Sequence, residues 1–133
     1  MTEIITMKDR PRSPHVTIYR WSITMAMSIA HRITGIAIYF GISLLAIWLM
    51  AIACGESAFK TVNEIYGSFF GLCVLFLCTF AGVHHMVGDI RHLIGELKPC
   101  LLDKKQANFI AWANIFISFS ATVVIWVIGY SVA

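Results

Sequence analysis

None of the four cysteines, Cys54, Cys73, Cys78 and Cys100, forms a Cys-x-x-Cys or a Cys-x-x-Cys-His pattern. Zinc ribbons and covalently attached c-type haem are thereby disfavoured, and the thiols read as small packing residues. Charge is also scarce. Asp, Glu, Lys and Arg make up 13% of the chain, and the stretches 33–53, 65–83 and 109–133 contain none. Those stretches lack the apolar–polar alternation of a membrane strand, which leaves helices as the spanning form. The net charge of +3 comes without a basic patch interleaved with aromatics, which argues against nucleic acid as a partner. The opening residues, MTEIITMKDRPRSPH, have no apolar core before a cleavage site and include acidic groups. They read as a retained cytoplasmic arm rather than a signal or transit peptide.

What is present is grease. Hydrophobic residues make up 59% of the chain and the mean hydropathy is +0.79, above a soluble domain's usual share. Each uncharged stretch is about 20 residues, the length a helix needs to cross a roughly 30 Å hydrocarbon core. The expected fold is an all-α integral membrane protein of one domain, with three transmembrane helices and no internal repeat. The expected boundaries are an arm over 1–20, helix I over 21–53, helix II over 61–97 and helix III over 107–131. Pro99 closes helix II, since proline does not continue a helix. Lys8, Arg10, Arg12, Arg20 and Arg32 precede or open the first span, and Arg91, Lys98, Lys104 and Lys105 lie between the second and third. The other connection carries only Lys60. The positive-inside rule then puts the N-terminus and the second connection in the cytoplasm and the C-terminus outside.

The stretch VHHMVGDIRHL, 83–93, places five ionisable side chains directly after an apolar run, where each costs roughly 2.5–3.5 kcal/mol to insert. His85, Gly88, Asp89 and His92 share a helix face, as do Ser28 and Arg32 in SIAHR, with His31 beside them. Antiparallel helices I and II bring the two stretches to one depth, near the cytoplasmic edge of the bilayer. Small residues, Ala81, Gly82 and Gly88, flank His85 with room for a flat macrocycle. Three readings stand open on spacing alone. The histidines are polar glue between helices, worth about 0.6 kcal/mol each; the arginines snorkel to lipid phosphates; or the cluster holds a b-type haem through a histidine nitrogen. Ser28 and Arg32 similarly read either as a self-satisfied pair or as hydrogen-bond donors to a quinone carbonyl.

RPRSPHVTIYRW, MAMSIAHRITGI and HHMVGDIRHL together resemble the cytochrome b subunit of succinate dehydrogenase, a membrane anchor of complex II. That family's pattern is roughly S-P-H-L-x-I-Y, then S-I-x-H-R-x-T-G, then H-x-x-x-G-I-R-H-L; the third helix is generic. The resemblance implies a subunit that does not itself oxidise succinate. A flavoprotein and an iron–sulfur subunit would pass electrons to ubiquinone. This chain and a second small anchor subunit would share haem b and complete the bundle. Ser28 and Arg32 match the quinone-contacting serine and arginine, and His31 the histidine beside the haem propionates. Arg91 and His92 match the Arg-His pair near the cofactor.

The axial histidine opens the third motif. Here the chain has Gly88-Asp89 where the family usually has Asn-Gly. Counting back from Arg91-His92 gives His85 as the axial ligand; counting from Gly88 gives His84, the runner-up. A substitution is preferred to an insertion, which would turn the rest of the helix by about 100°. The second axial ligand is expected from the other anchor. The expected location is a bacterial inner membrane rather than the mitochondrial inner membrane. A fumarate reductase anchor and a purely structural anchor without haem are the alternative functions.

Overall fold

The computed structural model describes residues 21–97 and 103–132, so the arm 1–20, Lys98 and Pro99 lie outside the described residues. Four helices follow in order: α1 (Ile23–Cys54), α2 (Glu56–Gly67), α3 (Phe69–Leu97) and α4 (Lys104–Val132). α1, α3 and α4 are each long and apolar enough to cross a membrane, which bears out the three-span helical architecture. Among the described residues there is no strand.

Local chemistry sets the ends. Ser22 caps α1, its Oγ accepting from the Met25 amide at 3.3 Å. Gly55 stops the helix at φ 108°, a left-handed conformation that costs glycine little, and its N–H donates to the Ile52 carbonyl. The helix expected over 61–97 divides at Ser68. Ser68 is extended, its N–H and hydroxyl both donate to the Ile65 carbonyl, and its Oγ accepts from the Gly71 amide at 3.1 Å. One side chain thus closes α2 and caps the start of α3, a local bond that outcompetes the helix ladder. α2 is amphipathic. Glu56, Lys60 and Glu64 are exposed, whereas Phe59 lies edge-on to Trp48 and the Tyr66 hydroxyl donates to the Leu44 carbonyl at 2.8 Å. α4 begins three residues before the expected position 107.

The burial pattern is that of a lipid-solvated chain. Phe69 is 86% exposed, while Ala111, Ser118 and Thr122 are fully buried. Without water to drive apolar groups inward, small side chains set the helix contacts. The stripe Ala111, Asn114, Ser118 and Thr122 gives α4 its buried face, and the hydroxyls of Ser118 and Thr122 donate to carbonyls one turn earlier. α3 packs on both α1 and α4, and Phe76 meets Trp126 edge-on at 5.4 Å.

Ala111→Leu should therefore force α4 away from its neighbours and destabilise the chain by about 1–3 kcal/mol. Phe116→Leu, at a site 74% exposed, should stay within about 0.5 kcal/mol of the parent. Unfolding in detergent micelles distinguishes the two.

Candidate functional site

α1 and α3 run antiparallel, and close contacts pair Gly41 with Cys78, Gly35 with His85 and Gly88 with His31. Of these three glycines, position 88 is the tightest, since an added Cβ there would sit 2.6 Å from the His31 ring. The space beside Gly88, expected to admit a macrocycle, is filled by that imidazole. The short Gly88–His31 approach allows the rings of His31 and His85 to stack, with centroids 3.9 Å apart and planes 16° from parallel.

Hydrogen bonds define the two rings. His85 Nδ1 lies 3.0 Å from the His31 carbonyl and 3.2 Å from the Thr34 hydroxyl, which itself donates to the same carbonyl. A carbonyl only accepts, so Nδ1 carries the proton and Nε2 keeps its lone pair. His85 Nε2 is 3.8 Å from Asp89 Oδ2, beyond hydrogen-bond range. His31 Nε2 is 2.9 Å from Asp89 Oδ1, and since a carboxylate only accepts, that nitrogen is the donor. His31, His85 and Asp89 each bring a ligand atom within 4.8 Å of the others, a set suited to transition metals. With its Nδ1–H held by the His31 carbonyl, His85 keeps a lone pair on Nε2 that no hydrogen bond occupies among the described residues.

The remaining candidates separate. His92 stands edge-on to His31 at 5.3 Å, so His31, His85, Asp89 and His92 form one group. Arg91 turns elsewhere: with His92, Glu96 and Asn114 it lines a cavity of about 740 Å³ between α3 and α4. His84 is 4% exposed and stacks on Phe80, and its Nδ1 has no partner among the described residues. Its ring lies inside the bundle. Ser28 and Arg32 are exposed on α1. Unlike the hydroxyls of Ser43, Thr79, Ser118 and Thr122, that of Ser28 makes no hydrogen bond to its own helix. Thr34 and Gly35, which seat His85, were not singled out by spacing, although both follow His31 closely in HRITG.

A model of the succinate dehydrogenase/fumarate reductase transmembrane subunit family matches residues 6–125. The chain belongs to this family. A succinate dehydrogenase cytochrome b556 subunit of Rickettsia bellii is 32% identical over 122 residues, covering 89% of this chain and 91% of the relative. That of Rickettsia felis is 31% identical over the same length, with the same coverage. A mitochondrial succinate dehydrogenase cytochrome b560 subunit of Sus scrofa is 41% identical over 97 residues, 67% of this chain and 54% of that one. The resemblance carried by SIAHR and VHHMVGDIRHL is thus borne out at the level of the family, and the chain is a membrane cytochrome b subunit of succinate dehydrogenase type.

Gly88→Ala should destabilise the α1–α3 contact by about 1–3 kcal/mol through the Cβ–imidazole overlap. Adding His31→Ala should recover most of that loss. A double-mutant cycle on unfolding in micelles measures the coupling.

Proposed function

We propose that this chain is the large, haem-binding anchor of a succinate:ubiquinone oxidoreductase, with His85 as an axial ligand of haem b. The observation that carries this reading is the seat of His85. Its Nδ1–H is held by the His31 carbonyl, leaving Nε2 as a free donor. Ligating histidines are commonly held through the second nitrogen in this way, which fixes tautomer and ring direction. The donor set therefore fits a haem iron. His84 is buried and its Nδ1 has no partner among the described residues to fix the ring, so it fits less well. When bound, haem supplies a one-electron centre.

The chain's own residues hold and orient. Thr34 and the His31 carbonyl fix His85. His31 and His92 lie on the same side as His85 and would meet the propionates. Arg91, facing the cavity beside α4, would reach the cofactor edge or the iron–sulfur subunit. Ser28 and Arg32, one helical turn apart and without partners among the described residues, would donate hydrogen bonds to a ubiquinone carbonyl oxygen. Such bonds strengthen as that oxygen gains charge on reduction, which favours the reduced form.

In this reading, flavoprotein and iron–sulfur subunits pass electrons from succinate to the quinone, linking the tricarboxylic acid cycle to the respiratory chain. A second small anchor contributes the other haem ligand and covers the exposed α1–α3 face. The Lys/Arg bias orients the N-terminus to the cytoplasm and the C-terminus outside a bacterial inner membrane. The names of the Rickettsia relatives favour succinate oxidation over fumarate reduction.

In membranes expressing the chain with its partner subunits, the reduced-minus-oxidised spectrum should show a b-type α-band. The band should be lost in His85→Ala and kept in His84→Ala; retention in both, or no band in the parent, rejects the ligand assignment. Arg32→Leu should raise the quinone KM about 10- to 100-fold, the equivalent of one charge-assisted hydrogen bond. Succinate oxidation with a soluble dye that accepts electrons upstream should stay unchanged. Ser28→Ala should act in the same direction and less strongly.

A further inference from the structure

Asp89 is an odd residue for its place. It is a carboxylate in the second half of a membrane-spanning helix, where a charge is costly unless it has a task. Its two oxygens address two different imidazoles: Oδ1 accepts from His31 Nε2 at 2.9 Å, and Oδ2 lies 3.8 Å from His85 Nε2, the nitrogen with the free lone pair. Neither arginine of the region forms an ion pair with it among the described residues. Arg91 faces the cavity beside α4, and Arg32 is exposed on α1.

We propose that Asp89 is a positioning residue of the haem pocket, holding His31 through its Nε2–H while keeping a negative charge beside His85 that lowers the haem midpoint potential. The inference rests on His85 being the axial ligand. Its physics is one of sign. Ferric haem carries one more positive charge than ferrous haem, so a nearby carboxylate stabilises the oxidised form and disfavours the reduced one. The effect is strongest in a medium of low effective dielectric, and the charge sits within one helical turn of the ligand.

A simple helix-bridging role for Asp89 predicts something different. Asparagine would keep an oxygen acceptor for His31 and preserve the bridge, so a bridge alone would leave the potential where it was. Charge is what the substitution removes.

The test uses the assembled complex with its partner subunits and an optical redox titration of the b-type band, comparing the parent with Asp89→Asn and Asp89→Gly. Glycine removes both the charge and the bridge, so it separates the loss of charge alone from the loss of both. Both variants should retain haem at parental content and titrate at a higher midpoint. An Asp89→Asn midpoint equal to or below the parent's overturns the inference, whatever the glycine variant does. Absence of any b-type band in the parent would remove the haem reading and this inference with it. That outcome is distinct from an unmoved midpoint, which removes only the role given to Asp89.

Discussion

The hydrogen bond from His85 Nδ1 to the His31 carbonyl is the contact on which the polar layer depends. It joins a side chain of α3 to the backbone of α1, so it fixes a ring and a helix register together. The stacking of His31 on His85, the closeness of Gly88 and Gly35 to these rings, and the reach of Asp89 to both imidazoles all follow from that register. In a bilayer such a bond has no competing water, and an unsatisfied polar group would have nowhere to turn. Thr34 reinforces it by giving its own hydroxyl proton to the same carbonyl. Three polar groups are thus satisfied without a charge being drawn in.

Much of this was legible in the amino-acid order. Uncharged runs mark spans because each charge in hydrocarbon is expensive, and 33–53, 65–83 and 109–133 all fall largely inside spanning helices. The pairing of SIAHR with VHHMVGDIRHL was also legible, since two overlong antiparallel helices must bring their polar ends to one level. The break at Ser68 was not. The residues from 56 to 67 are as helical in composition as those of α3, and the interruption is made by a serine bonding to a carbonyl three residues back. Such a bond competes with the helix on nearly equal terms, and periodicity does not register it.

Rotation of a helix about its axis was harder still to read. Spacing put His85 and Gly88 on one stripe and suggested room beside the histidine. It could not say that His31 would fill that room, because this depends on how closely α1 approaches, which is set by small residues on both helices. The same limit applies to Arg91. It follows Asp89 by two residues, which on a helix turns it well away from the imidazole face and toward α4. Adjacent letters in a membrane helix routinely serve different neighbours.

α2 also has a mechanical meaning. It lies against α1 through Tyr66 and Phe59, with Glu56, Lys60 and Glu64 exposed on its other side, a pattern that suits the boundary between headgroups and acyl chains. Leu44, whose carbonyl receives the Tyr66 hydroxyl, is separated from His31 by 13 residues of continuous α1, about 20 Å along the axis. α1 then behaves as a ruler clamped at one membrane surface, and its marked division is the polar layer at the other. With α2 held at one surface, a thicker membrane would draw that layer deeper into hydrocarbon, and a thinner one would lift it toward water or tilt the helix.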